Sequence, residues 1–109
     1  MDSIRALQEK IVAFRDARDW KQFHNAKELA LCLSVEAAEL LEVFQWKRSE
    51  DANRERMKEE LADVFYAALL LAHDEQFDVS EIVTEKIKKT EVKYPVHLAR
   101  GSAKKYTEF

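Results

Sequence analysis

Glu36 with Glu39, and Glu60 with Asp63, are acidic pairs three residues apart, set in LALCLSVEAAELLEVF and EELADVFYAALLLA. Both stretches otherwise read as the interior of a helical bundle. Residues i and i+3 project side by side on a helix, so each pair makes a two-pronged oxygen cluster. At about 100° of turn per residue, Glu36 falls within about 40° of Leu29, Leu33, Leu40 and Val43. Glu60 falls in the same way between Val64, Ala67 and Leu71. A bare carboxylate in such a place is costly unless it is protonated or paired with a cation. Four oxygen donors with neither sulfur nor imidazole suit Mg²⁺ or Mn²⁺ rather than zinc or copper. Di-iron bundles use Glu-x-x-His, and neither His24 nor His73 follows a glutamate at that spacing.

These side chains have to be placed by helices. Residues 1–94 contain no Gly and no Pro, since Gly101 and Pro95 are the only ones in the chain. That argues for an all-α body. A first helix is predicted from about Ser3 to Arg18, capped by Asp2 or Ser3, with Ile4, Leu7, Ile11 and Phe14 as its apolar stripe. DWKQFH (19–24) reads as an aromatic connection. Asn25 with Glu28 carries a capping-box pattern and opens a second helix that runs to about Trp46. Ser49, followed by Glu50 and Asp51, is the expected start of a third helix reaching Asp74. Asp78 with Glu81 opens a fourth, which ends near Lys93 ahead of Tyr94-Pro95. Residues 94–109 are expected to form an irregular tail. An antiparallel pairing of the second and third helices would bring the four carboxylates together.

The 109 residues make a single domain, 1–109, with a formal net charge of −3. That charge argues against a nucleic-acid polymer as partner. No apolar run approaches membrane-spanning length and no signal peptide is evident, so the expected setting is cytoplasmic, with no membrane partner. The lone Cys32 reads as core packing. Leu31, Val35, Ala38 and Leu41 lie off the main stripe of the second helix, as Leu61, Phe65 and Leu69 do on the third. Helices apolar on several faces are buried on several sides, which points to a homodimer or a dimer of dimers.

From Lys86 to Lys105 there are seven basic side chains (Lys86, Lys88, Lys89, Lys93, Arg100, Lys104, Lys105) against Glu91 alone. A carboxylate-held divalent ion together with such an arm suits a polyphosphate substrate. Trp20 and Trp46 flank the second helix, and Phe23, Phe44 and Tyr66 add further rings. Aromatic walls stack on a nucleobase for roughly 1–3 kcal/mol each. The rival reading is a non-catalytic helical oligomerisation or binding bundle with an acidic cation site.

The pattern E-x-x-E, about twenty residues, then E-x-x-D, read here in VEAAELLEVFQW and EELADV, resembles the MazG-like all-α nucleoside triphosphate pyrophosphohydrolases. RDWKQFH, FQWK and KYPVHLARGSAKKYTEF are similar to the dCTP pyrophosphatase branch, so the resemblance covers nearly the whole chain. It implies a four-helix protomer in an oligomer built on a tight dimer. It also implies hydrolysis of a nucleoside triphosphate to monophosphate and pyrophosphate, with dCTP or modified dCTP favoured and nucleotide-pool housekeeping as the role. Glu36, Glu39, Glu60 and Asp63 become the Mg²⁺ ligands and catalytic residues. Trp20 and Trp46 match the aromatic residues that enclose the base, the stretch with Lys86, Thr90, Lys93 and Tyr94 matches the phosphate contacts more loosely, and His24 and Tyr66 are further substrate-binding candidates. Two positions depart from the pattern. Thr90 stands where the family often has Asn, and Ala67 where the dCTP branch has a Tyr, with Tyr66 one residue earlier.

Overall fold

A computed structural model describes residues 3–109, so the Asp2 alternative for the first cap lies outside the described residues. Five α-helices and three short 3₁₀ turns appear, with no strand among the described residues. Helix α1 is Ile4–Asp16, α2 is Ala26–Glu42, α3 is Arg54–Asp74, α4 is Val79–Lys93 and α5 is Val96–Ala99. The all-α expectation is borne out.

Each of the first four helices starts on a side chain that accepts a backbone N–H from the first turn. Ser3 Oγ accepts from Ala6, Asn25 Oδ1 from Glu28, Asn53 Oδ1 from Arg56 and Asp78 Oδ1 from Glu81, all at 2.9–3.1 Å. Three of these starts were readable, but the third helix begins at Arg54 rather than Ser49. Ser49–Asp51 is instead a 3₁₀ turn, tightened by Arg48 Nε donating to Asp51 Oδ2 at 2.9 Å. Helix α2 also stops at Glu42, four residues before Trp46. Its last turn narrows through i→i−3 bonds at Val43 and Phe44, and Trp46 itself sits at φ 63°.

Two helix ends close without glycine. After α1, Trp20 N donates to Arg15 O (3.2 Å) and Asp19 N to Asp16 O (3.1 Å), with Asp19 left-handed at φ 54°. After α3, Phe77 N donates to Ala72 O (2.9 Å) and Gln76 N to His73 O (3.0 Å), with Gln76 at φ 61°. Both are Schellman motifs, which satisfy two orphan carbonyls and turn the chain sharply. In the first, Trp20 is delivered back onto Phe14 of α1, ring centroids 5.7 Å apart and edge-to-face.

The chain forms two compact units that meet at Phe77/Asp78. In the first, α2 packs along α3 as an antiparallel hairpin. Glu36 shares a cluster with Asp63, whereas Leu29 shares a cavity wall with Leu70. Helix α1 lies across them, tied by Gln8 Nε2 donating to Leu69 O at 3.0 Å. Ile11, Leu29, Val43, Ala67, Leu69, Leu70 and Ala72 form the buried core. Arg15 is buried with them at 1% exposure, its Nη1 2.6 Å from Asp74 Oδ2 and its Nε 3.2 Å from Asp16 Oδ1. Of the off-stripe residues Leu69 is buried in the core, whereas the others face solvent: Leu41 is 71% exposed, Phe65 56%, and Leu31, Val35, Ala38 and Leu61 are exposed as well.

The second unit holds α4 and the tail expected to be irregular. Part of that tail is ordered into α5 and a 3₁₀ turn, Tyr106–Glu108. Pro95, at φ −63°, fits the entry to a helix, and Gly101 takes the left-handed φ of 72° just after it. The tail then folds back so that Tyr106 and Phe109 each meet the Tyr94 ring edge-on at 5.8 Å.

Candidate metal centre and its adjoining cavity

The antiparallel hairpin brings all four predicted carboxylates into one cluster. One oxygen each from Glu36, Glu39, Glu60 and Asp63 lies within 4.8 Å of all the others. Glu36, Glu39 and Glu60 are half-buried and Asp63 is exposed. Glu36 Oε2 and Glu60 Oε2 are buried without any hydrogen-bond partner. Burial, a hydrogen bond to Glu39 and the charges of Asp63 and Glu60 push the Glu36 carboxyl up to about 7. The Glu60 carboxyl is raised too, by burial first and then by Glu39 and Asp63. Crowded, partly dehydrated carboxylates with orphaned oxygens have the donor chemistry of a hard divalent cation site. The cluster could bind a metal ion, and these four residues would hold it.

Against this cluster opens a cavity of about 550 Å³, within the usual size of small-molecule sites. Lys10, Ile11 and Phe14 of α1 line it, with Trp20 and His24 from the connection. Leu29, Cys32 and Glu36 of α2 and Asp63, Tyr66, Ala67 and Leu70 of α3 complete the wall. Glu36 and Asp63 belong to both features, so the cavity abuts the carboxylates. Its aromatic side is a chain of edge-to-face contacts: Trp20 on Phe14 at 5.7 Å, and Phe14 on Tyr66 at 6.2 Å. The Arg18 guanidinium stacks on Phe14 at 3.8 Å and donates to its carbonyl at 2.8 Å, which stiffens that wall. Burial raises the Tyr66 hydroxyl above its ordinary range, opposed by Arg15 and Arg18.

The other predicted residues divide by location. Trp20, His24 and Tyr66 reach the cavity. Trp46 does not; it is 95% exposed beyond the end of α2. Lys86, Thr90 and Tyr94 border a separate groove of the second unit with Ile82, Val83, Ile87 and Glu91. There the Thr90 hydroxyl donates to Lys86 O at 2.9 Å, and Lys93 Nζ sits 4.9 Å from the Tyr106 ring centre.

Cys32 is a correction: it is exposed and lines the cavity rather than packing in the core. Arg15 and Lys10 were not singled out from the sequence, and Phe14 was read only as part of the apolar stripe of the first helix. Arg15 had a legible signal, since it falls one turn after Ile11 on the buried side of α1. Lys10 had none beyond its neighbours.

Comparison with known proteins agrees with this geometry. The pattern of the MazG-like family matches residues 31–109. The dCTP pyrophosphatase 1 of Bos taurus is 40% identical over 116 aligned residues, covering 99% of this chain and 67% of that protein. The dCTP pyrophosphatase 1 of Homo sapiens is 39% identical, covering 99% and 66%. The chain thus spans about two thirds of the length of these curated relatives. Among solved structures, a pyrophosphatase from Archaeoglobus fulgidus superposes with a TM-score of 0.80 at 37% identity, over 87% of this chain and 94% of that one.

Proposed function

This chain belongs to the MazG-like family, and from that premise we propose that it is a Mg²⁺-dependent nucleoside triphosphate pyrophosphohydrolase. The reaction is (d)NTP plus water to (d)NMP plus pyrophosphate, with dCTP or a modified dCTP favoured. The observation that carries the reading is the carboxylate quartet, whose oxygens converge within 4.8 Å beside an aromatic-walled cavity. The named activity of the mammalian relatives supports the substrate.

Glu36, Glu39, Glu60 and Asp63 hold the ion, with Mn²⁺ as an alternative to Mg²⁺. When bound, it supplies charge neutralisation and Lewis acidity at the phosphate oxygens. The base enters the cavity between Trp20 and Tyr66, which excludes water from that end of the ligand. An attacking water forms its bond to the α-phosphorus as the bond to the α–β bridging oxygen breaks. Glu39 accepts the proton that this water loses. Pyrophosphate is the leaving group, and Lys86, Thr90, Lys93 and Tyr94 are the phosphate-binding candidates that the family resemblance implies. Trp46 remains a candidate base contact only if a second protomer receives it, because it lies away from its own cavity. Exposed Leu41 and Phe65 support a homodimer or dimer of dimers. Cytoplasmic housekeeping of the nucleotide pool is the role consistent with this reading. No described helix is long and apolar enough to cross a membrane.

The deciding assay incubates the protein with a panel of deoxy- and ribonucleoside triphosphates and follows the products. Pyrophosphate rather than orthophosphate, released with Mg²⁺ and not after chelation, supports the reading. Binding without any turnover would return it to a non-catalytic bundle.

A further inference from the structure

The cavity wall is not wholly aromatic and aliphatic. It carries Glu36, Asp63 and His24 and, from α1, Lys10, the one lysine or arginine among its described lining residues. Lys10 lies four residues before Phe14, so the two side chains stand side by side on one face of α1. The Phe14 ring meets Tyr66 of α3 edge-on at 6.2 Å. Gln8 Nε2 reaches Leu69 O and Arg15 Nη1 reaches Asp74 Oδ2, so α1 and α3 advance in the same sense. One turn back from the ring contact therefore stand Lys10 on α1 and Asp63 on α3. Helical side chains lean toward the N-terminus of their own helix, which sets the exposed Lys10 on the carboxylate side of the cavity. The two arginines nearest this wall are committed elsewhere. Arg15 is held by Asp74 and Asp16, and Arg18 by the ring and carbonyl of Phe14.

Along α3, Tyr66 and Asp63 are separated by three residues, about 4.5 Å of rise. A base against Tyr66 and an ion held at Asp63 leave room between them for a sugar, and the first phosphate then arrives beside Lys10. We infer that the Lys10 ammonium pairs with the α-phosphate of the nucleotide, which makes Lys10 a substrate-binding residue of this site. The inference rests on the nucleotide reading above and gives the first helix a part in it beyond the aromatic wall. A lysine is a compact cation with three donors, suited to a phosphate approached from one side. The α-phosphate stays on the monophosphate product, so loss of the contact falls on the triphosphate and the monophosphate but not on pyrophosphate.

The test measures dissociation constants by titration calorimetry with Mg²⁺ present, for wild type and Lys10→Met. Met keeps most of the aliphatic stem and removes the charge. The constant for dCMP should rise about 10-fold, as expected for loss of one charge-assisted contact at a partly exposed place. Those for deoxycytidine and for inorganic pyrophosphate should each stay within about 2-fold. In turnover, kcat/KM for dCTP should fall by about 10-fold or more. Lys10→Arg retains the charge and should keep dCMP affinity within about 3-fold of wild type. Unchanged dCMP affinity in Lys10→Met, or a loss shared by deoxycytidine or equalled by pyrophosphate, overturns the inference. Wild-type protein that releases no pyrophosphate from any triphosphate rejects the nucleotide reading itself.

Discussion

Arg15 Nη1 lies 2.6 Å from Asp74 Oδ2, joining the end of α1 to the end of α3. The guanidinium is 1% exposed and its partner carboxylate 17%. Burial alone would raise the Asp74 carboxyl, yet the Arg15 hydrogen bond, with help from His73, holds it below its ordinary value.

Asp74→Asn should therefore destabilise the fold by about 3–5 kcal/mol, because it strands a buried cation. Arg15→Met should cost less, since it removes the charge that needs a partner. The pH sign follows from the lowered carboxyl. Its contribution is present above the unfolded value of 3.8 and is lost as pH falls through the still lower folded value. Urea titrations of both variants between neutral and acid pH check the magnitude and the sign.

Glu36 has the opposite sign. With a folded value near 7 against 4.5 unfolded, the metal-free native state holds a proton that the unfolded chain has released. Its contribution is complete below 4.5 and is lost as pH rises through 7. Chelated protein should lose part of its thermal stability across that window, and Glu36→Gln should lack that component. Mg²⁺ competes with the same proton, so its affinity should rise up to about pH 7 and then level off. Thermal scans with chelator and with Mg²⁺ separate the two effects.

Glu36→Gln and Glu60→Gln should each lower pyrophosphate release by on the order of 100-fold or more while helical circular dichroism is retained. Wild-type turnover in either variant would mean that the reaction centre lies elsewhere.

Cys32 is the single thiol of the chain and lines the cavity. A bulky maleimide at this position should block activity, and Mg²⁺ with a non-hydrolysable dCTP analogue should protect the thiol. Cys32→Ser should keep activity and resist the reagent. Labelling at an undiminished rate in saturating nucleotide would exclude the cavity as the binding place.

Phe65→Asp and Leu41→Asp each place a charge on a side chain that the protomer leaves exposed. If these faces join protomers, either change should shift light-scattering mass toward the monomer by opposing burial of the contact. An unchanged mass for both variants would place any interface elsewhere.

Neighbours in sequence determined what could be read early. The caps at Asn25 and Asp78 were legible because an N-cap and the N–H it accepts lie three residues apart. The pairing of Glu36 with Glu39 and of Glu60 with Asp63 was legible because helical rotation alone makes i and i+3 adjacent. The absence of Gly and Pro before residue 95 announced the all-α body.

Tertiary structure decided the rest, wherever the outcome depended on distances between elements or on competition between local options. Ser49 and Asn53 are both acceptable caps, and the Arg48–Asp51 contact left the first in a 3₁₀ turn. Asp19 and Gln76 close helices in a conformation that usually signals glycine, so no composition rule marks them. Cys32 faces the cavity because the crossing of α1 over the α2–α3 hairpin, not helical periodicity, sets which face is covered, and Trp46 faces solvent because α2 stops at Glu42 and leaves it beyond the helix end. Periodicity says which residues share a side; only packing says what stands opposite.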